Sequence, residues 1–312
     1  MAEKLTGVIL AAGRGSRMAL FSDEYPKPLL PICNKPIMQY QIEMMRDLGI
    51  TDVFIVVGHL KNRIMDSFQS GAELGVKIHY VEQSQPLGIA HAVGQLERFV
   101  ETPFLMFLGD IFYAPKDMRL LLESRQREEN ASVLVVQRNQ ATEVIKQNFA
   151  IMMGEDGRVR RVIEKPRHIT NHDTGFGIYL FDPVVFDAVR RTPRTAMRDE
   201  YEITEAIQIL IDDGYPVFAE EAIDWILNVT YPKDLLNCTV SWMKTQGVTS
   251  VVADSAEVHP DCRLDYASIG ENVIVRRPIR IANSIVLPNT VVESDGDMVD
   301  CVRSARITID CG

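Results

Sequence analysis

Thr6-Gly7-Val8-Ile9-Leu10-Ala11-Ala12-Gly13-Arg14-Gly15-Ser16-Arg17-Met18, followed by Pro26-Lys27-Pro28, reads as a strand that ends in a loop for an anion. Residues 6–10 form a short β-branched apolar run, as in a strand buried in a parallel sheet, and the glycines begin where that strand would end. Glycine lets backbone amides approach phosphate oxygens with no Cβ in the way. Arg14, Arg17 and Lys27 bring cationic heads to the same anion. A lone Gly-x-Gly after a strand also serves as a tight turn, and the basic residues are what favour a triphosphate ligand. Two better-known phosphate loops do not fit. The dinucleotide fingerprint needs a third glycine, and the kinase-type loop needs Gly-Lys-Ser/Thr where this chain has Gly15-Ser16-Arg17.

Residues 10–18 with the downstream Pro26-Lys27 resemble the signature of the sugar-1-phosphate nucleotidyltransferases, or nucleotide-sugar pyrophosphorylases. The resemblance implies that Leu10, Ala12, Gly13, Gly15 and Ser16 bind the nucleotide. It implies that Arg17 and Lys27 are catalytic groups on the β,γ-phosphates.

Composition bounds the rest. A chain of 312 residues with 46% hydrophobic content is long enough for one large domain and a smaller one. No apolar stretch approaches the roughly 18 residues of a membrane span, and the N-terminal sequence lacks a signal-type core, so cytoplasmic residence and no membrane partner are expected. The five cysteines, Cys33, Cys238, Cys262, Cys301 and Cys311, show no metal-ligand spacing and read as reduced thiols. A net charge of -10 argues against nucleic acid as a partner, though a few converging cations can still hold a triphosphate in a cleft.

Up to about residue 240, strand-like runs at 53–57, 77–81, 104–108 and 132–136 alternate with helical periodicity at 37–48 and 89–99. The expected fold is α/β: a mainly parallel mixed sheet sandwiched by helices, Rossmann-like, with ligands beyond the carboxyl ends of the strands. We expect a nucleotidyltransferase domain over 1–245 and a short second domain over 246–312. In the latter, aliphatic residues recur every sixth position at Val252, Val258 and Leu264. After a one-residue slip they continue at Ile269, Val275, Ile281 and Leu287, with a second series at Val273, Ile279, Ile285 and Val291. This resembles the hexapeptide repeat of left-handed parallel β-helices, here of about three coils at most. Ordinary alternating strands are the other reading. Such a short helix is expected to pack against the main domain or a neighbouring subunit, making a homo-oligomer.

Four further segments carry chemistry. Asp110, after the apolar 104–108 run, is the leading Mg²⁺ ligand, since that ion prefers carboxylate and phosphate oxygens, although an Asp here can also start a turn. Gln83 and Gly88, in the segment 82–90, resemble the family's base-recognition element and favour uracil or thymine without deciding between them. Glu164-Lys165-Pro166 resembles the sugar-phosphate element, which implies that Glu164 contacts sugar hydroxyls and Lys165 the attacking phosphate; alone, such a pair is usually solvated. Residues 200–205 resemble a helix start beside the sugar pocket.

Two departures from the family pattern stand out. Asn228 occupies the place of a second metal-binding Asp, which removes one negative charge while keeping an amide oxygen that can ligate Mg²⁺. Gly175 stands on the sugar-pocket strand where many relatives have Asn, leaving the sugar open. The expectation is therefore an enzyme transferring a nucleoside monophosphate from UTP or dTTP to glucose 1-phosphate or a related hexose 1-phosphate. Its partners would be a nucleoside triphosphate and a sugar 1-phosphate. The rival is a catalytically weak regulatory or sugar-nucleotide-binding subunit of the same fold; an acyltransferase is a distant third.

Overall fold

The structure is a computed structural model that describes residues 3–13, 25–169, 172–196 and 199–312. Its strands begin with β1 (Thr6–Ala11), β2 (Pro31–Ile32), β3 (Lys35–Pro36), β4 (Asp52–Val57), β5 (Lys77–Glu82), β6 (Phe104–Leu108) and β7 (Ile111–Pro115). They continue with β8 (Ser132–Gln137), β9 (Phe149–Met153), β10 (Val159–Glu164), β11 (Thr174–Phe181), β12 (Val217–Glu220) and β13 (Ile223–Asn228). The helices are α1 (Ile37–Asp47), α2 (Lys61–Phe68), α3 (Ile89–Gly94), α4 (Arg119–Arg125), α5 (Thr142–Gln147), α6 (Val185–Arg191), α7 (Ile203–Asp212) and α8 (Pro232–Gln246). None of the described helices is long and apolar enough to cross a membrane. The chain divides into two compact units. One holds the N-terminal strand with Gln41–Gly109 and Tyr113–Ile226; the other holds the segment up to Tyr40, Asp110–Phe112 and Leu227–Gly312.

The first unit is built on one sheet in the order β10-β9-β11-β6-β1-β4-β5, with β8 joined to β11 and to β12. The pairs β1–β4, β1–β6, β4–β5 and β8–β12 are parallel, whereas β11 runs antiparallel to β6, β8 and β9. The sheet is mixed because β11 reverses at its centre. β1 and β6 are apolar almost throughout because both faces are covered, and Val8, Phe104 and Met106 are fully buried with residues of α3, α6 and α7. Helix α3 stops at Gly94, short of the expected 99. Beyond it the amides of Leu96 and Glu97 reach only three residues back, to Val93 and Gly94, so the segment tightens into turns.

In the second unit, a further set of short strands follows α8: β14 (Ser250–Val252), β15 (Glu257–Val258), β16 (Arg263–Ile269), β17 (Ile274–Val275) and β18 (Arg280–Val286). The last are β19 (Val291–Val292), β20 (Met298–Val299), β21 (Cys301–Arg303) and β22 (Thr308–Asp310). They stack in parallel with one constant offset: Ser250 faces Ala267, Arg263 faces Arg280, Ile274 faces Val291 and Ile285 faces Val302, each 17 residues on. Left-handed backbone recurs at the same interval, at Tyr266, Asn283 and Asp300 and again at Asn272 and Asn289. Asn tolerates that conformation, and the Asn272 amide donates to Asn289 Oδ1 of the next coil at 3.1 Å.

Because 17 is one short of three sixes, a six-residue spacing slips by one residue in every repeat of this register. The slip expected between Leu264 and Ile269 is one instance; the next falls between Ile281 and Val286, which is in the core. Continuing in sixes past that point leads out of phase. Ile285 is buried outside this core, and Val291 is 40% exposed. Val252, on the first coil, is 41% exposed with no coil before it. The stack is bounded by β22, which turns back antiparallel on β21, and α8 packs against β16, β18 and β21.

The β2–β3 hairpin reaches the same coils. Its two-residue turn, Cys33-Asn34, has positive φ at both positions, the type of turn that matches strand twist. Asn34 donates to the Ile269 carbonyl at 2.7 Å and accepts from the Ser268 hydroxyl at 3.1 Å. All five cysteines are free, and burial pushes the Cys33 thiol up to about 11.

Candidate active site

In the first unit, three adjacent strands deliver backbone to one rim. Leu10, at the end of β1, faces Val56 of β4 and Leu108 of β6, and the Gly109 amide donates to the Leu10 carbonyl at 2.9 Å. Two glycines make this closeness possible. A Cβ on Gly58 would lie 2.8 Å from the Ala12 carbonyl oxygen, and one on Gly109 would lie 3.0 Å from that of Leu10. Both glycines directly follow strands, a signal the sequence offers as Val57-Gly58 and Leu108-Gly109. Gln41 braces the rim from α1, donating to the Leu108 carbonyl at 2.8 Å. Ala12 is buried, whereas Gly13 is exposed and a Cβ there would meet nothing within 4 Å among the described residues. Gly15, Ser16 and Arg17 lie outside the described residues.

The base-recognition candidates follow β5. Gln83 is buried, and its Nε2 lies 2.8 Å from His91 Nδ1 and 3.4 Å from the Gly88 carbonyl oxygen. Gly88 has φ +113°, and a Cβ on it would be 2.5 Å from the Tyr201 carbonyl oxygen. Its bareness admits the Tyr201 backbone rather than a flat ring. Tyr201 exchanges backbone hydrogen bonds with this segment, donating to Leu87 and accepting from Ala90. His91 is the residue the motif reading missed, since a histidine one turn into a helix carries no periodic signal.

The candidates for the sugar side also belong to the first unit. Lys165 holds a left-handed backbone, φ 41°, with its amide donating to the Asn148 carbonyl at 2.8 Å, and its ammonium lies 3.9 Å from Glu164 Oε1. A non-glycine residue in that region costs on the order of 1 kcal/mol. Glu164 accepts from the Thr204 hydroxyl at 3.4 Å, so the 164–166 and 200–205 segments meet. Burial, with Glu164 and Glu202 close by, pushes the Tyr179 phenol far above its usual range. Gly175 is buried on β11, where a Cβ would collide with the Phe149 ring. The large neighbour explains the small residue: Phe149 occupies the space an Asn side chain would need.

In the second unit, the Lys27 ammonium lies 3.4 Å from Asp110 Oδ2, joining segments 83 residues apart. Lys27 opens a short 3₁₀ turn and its side chain is 12% exposed, against 40% for Asp110. Asp110 precedes β7, and Asn228 ends β13, its pairing partner. The Lys116 amide just after β7 donates to the Ala222 carbonyl just before β13, which makes the pair antiparallel. Asn228 Oδ1 accepts from the Thr230 hydroxyl at 3.3 Å. Asp234 fixes the turn that follows, its Oδ2 accepting from the Thr230 and Tyr231 amides at 3.0 and 2.7 Å. Among the described residues no three His, Cys, Asp or Glu side chains converge as a metal cluster.

Comparison with known proteins identifies the fold. A low-salt glycan biosynthesis nucleotidyltransferase of Haloferax volcanii is 33% identical, over 95% of this chain and 91% of its own length. A glucose-1-phosphate thymidylyltransferase of Streptomyces griseus is 31% identical over 92% of this chain and 78% of its own. A crystal structure of UDP-glucose pyrophosphorylase complexed with UDP-glucose, 21% identical, shares the fold with a TM-score of 0.68 over 78% of this chain and 99% of its own. The family model described as Nucleotidyl transferase matches residues 6–245. With its glycine-lined rim of strand ends, the chain belongs to the nucleotidyl transferase family.

Proposed function

We propose that the protein transfers a nucleoside monophosphate from UTP or dTTP to glucose 1-phosphate or a related hexose 1-phosphate, releasing pyrophosphate and forming a nucleotide sugar. An oxygen of the sugar phosphate attacks the α-phosphorus in line. The new O–P bond forms as the bond to the bridging oxygen breaks, and pyrophosphate carries away the electron pair. No covalent enzyme intermediate is needed. The observation that carries this reading is the Lys27–Asp110 pair, which sets a cation and a carboxylate together at the start of β7. Lys27 and Arg17 neutralise the leaving pyrophosphate. The amides near Leu10, Ala12, Gly13, Gly15 and Ser16 cradle it. Lys165 orients the attacking phosphate, its strained backbone aiming the ammonium, while Glu164 and the Gly175 strand face the sugar.

One carboxylate from Asp110 and one amide oxygen from Asn228 form a donor set that suits Mg²⁺, which keeps several waters and takes its remaining oxygens from phosphate. Bound there, the ion would neutralise charge on the triphosphate. The hydroxyl that Asn228 Oδ1 already accepts favours one second reading, a weakly active regulatory or sugar-nucleotide-binding subunit of the same fold.

We read residues 1–245 as the nucleotidyltransferase domain, in keeping with the family match over 6–245, and 246–312 as a short left-handed hexapeptide-repeat β-helix. The 17-residue register supports the coil. Homo-oligomerisation through the coils and cytoplasmic residence complete the proposal. Pyrophosphate release from UTP or dTTP with glucose 1-phosphate and Mg²⁺ tests it; release with neither nucleotide favours the regulatory subunit.

A further inference from the structure

Gln83 is buried at 6% exposure, and an amide there must satisfy its polar atoms locally or through a ligand. Its Nε2 carries two hydrogens and faces two groups, the Gly88 carbonyl at 3.4 Å and His91 Nδ1 at 2.8 Å. The carbonyl can only accept, which decides the amide's orientation. With the amide reversed and the proton on Nδ1, Oε1 would face the Gly88 carbonyl, acceptor against acceptor. The imidazole is therefore neutral with its proton on Nε2. Burial, which holds its pKa below the usual value, favours the neutral ring. Gln95 Nε2 donates to the His91 carbonyl at 3.2 Å and lies 3.4 Å from His91 Nε2, a longer contact with the ring than the 2.8 Å one from Gln83 to Nδ1, which is the one that sets the tautomer.

The frame around this pair is firm. The Tyr201 ring stacks on His91 at 6.2 Å and 25°, and the Tyr201 backbone occupies the space beside Gly88. Both amide hydrogens are thus committed inside the protein. Among the described residues Oε1 takes no hydrogen bond.

We propose that His91 is a positioning residue for nucleobase choice: it locks the Gln83 amide so that only an acceptor, Oε1, is offered to the base. Uracil and thymine present an N3–H donor to such a group. Cytosine presents a lone pair at N3 and is repelled. The inference rests on the nucleotidyltransferase function proposed above, and it gives the pyrimidine preference a cause outside the base-contacting residues.

The test compares wild type, His91→Asn and His91→Leu for pyrophosphate release from UTP, dTTP and CTP, separating KM from kcat. Asn can place its Oδ1 where Nδ1 stood, so His91→Asn should keep the wild-type ratio of UTP to CTP efficiency. Leu leaves the amide free to turn, and His91→Leu should narrow that ratio about tenfold, mainly through a higher KM for UTP, as expected for one hydrogen bond. A His91→Leu enzyme with the wild-type ratio, or a His91→Asn enzyme as unselective as His91→Leu, overturns the proposal.

Nitrogen-15 NMR of the wild-type histidine rings gives a readout that needs no variant. An Nε2–H tautomer at His91 is expected, and an Nδ1–H tautomer contradicts the lock. Should wild type release no pyrophosphate from any nucleotide, the catalytic function fails. Calorimetric binding of UTP against CTP and the tautomer then still judge His91.

Discussion

Gln83 and Lys27, both proposed to serve the nucleotide, are held by the protein in different ways. Gln83 is neutral, buried and fixed by two partners, Gly88 and His91, with a neighbouring backbone packed against Gly88. Lys27 is a charge whose partner, Asp110, is 40% exposed, and one 3.4 Å ion pair joins them. A neutral amide discriminates only if it cannot rotate, so it needs walls. A charged group acts through its field and can exchange a carboxylate for a phosphate when ligand arrives, so it needs access. Substitutions on the charged side should therefore reduce turnover and spare the fold, while substitutions in the packed unit should alter selectivity or stability.

The largest expected effect is on the charged side. Asp110→Ala should lower kcat by roughly 10²-fold or more, as for loss of one preorganised electrostatic contact, with a melting temperature close to wild type. Steady-state pyrophosphate release and a thermal melt together check this; a collapse in stability instead would break the contrast. In the packed unit, Gly175→Asn should destabilise the protein by about 1–3 kcal/mol through collision with Phe149. Urea unfolding of Gly175→Asn with and without Phe149→Ala sharpens the point, because the double variant should be less destabilised than the sum of the two singles.

Asn228→Asp tests the charged side in the other direction. At the ion site proposed for Asp110 and Asn228, a second carboxylate should bind metal more tightly, so Mg²⁺ should raise the melting temperature of Asn228→Asp more than that of wild type. Equal shifts would place the ion elsewhere. The smallest effect is on pH. Because burial depresses the folded-state pKa of His91 below its usual 6.5, the unfolded chain takes up the proton first. The stability His91 contributes is thus full above 6.5 and is lost as pH falls through the folded value. The preference for UTP over CTP should stay constant between about pH 7 and 8, where the ring is neutral. Initial rates across that interval check it.

What the sequence could convey follows the same division. Asp110 is legible as the charge that follows the apolar 104–108 run and Lys27 through the Pro26-Lys27 resemblance, but that the two lie 3.4 Å apart is written in neither segment. Gln83 was legible as a residue type, but its orientation depends on His91 and Gly88, and Gly88 owes its bareness to Tyr201, more than a hundred residues away. Phe149 over Gly175 is another such pairing: one position reads as an absence until the other fills it. The C-terminal coil shows how a period can mislead. A six-residue spacing drifts against the 17-residue register of the strands, so the series read through Ile285 and Val291 leaves the core: Ile285 is buried outside it and Val291 is exposed. Strand content and the α/β class needed none of this, because apolar runs bounded by glycine and proline identify buried strands from local sequence alone.

This chain moves a nucleoside monophosphate onto a sugar phosphate. The most direct measurement is pyrophosphate release by the purified wild-type protein with Mg²⁺, glucose 1-phosphate and either UTP or dTTP, with the nucleotide sugar identified by mass spectrometry. Equal amounts of pyrophosphate and UDP- or dTDP-sugar are expected, with neither formed when the sugar phosphate is omitted. Absence of both products across a panel of hexose 1-phosphates would contradict it.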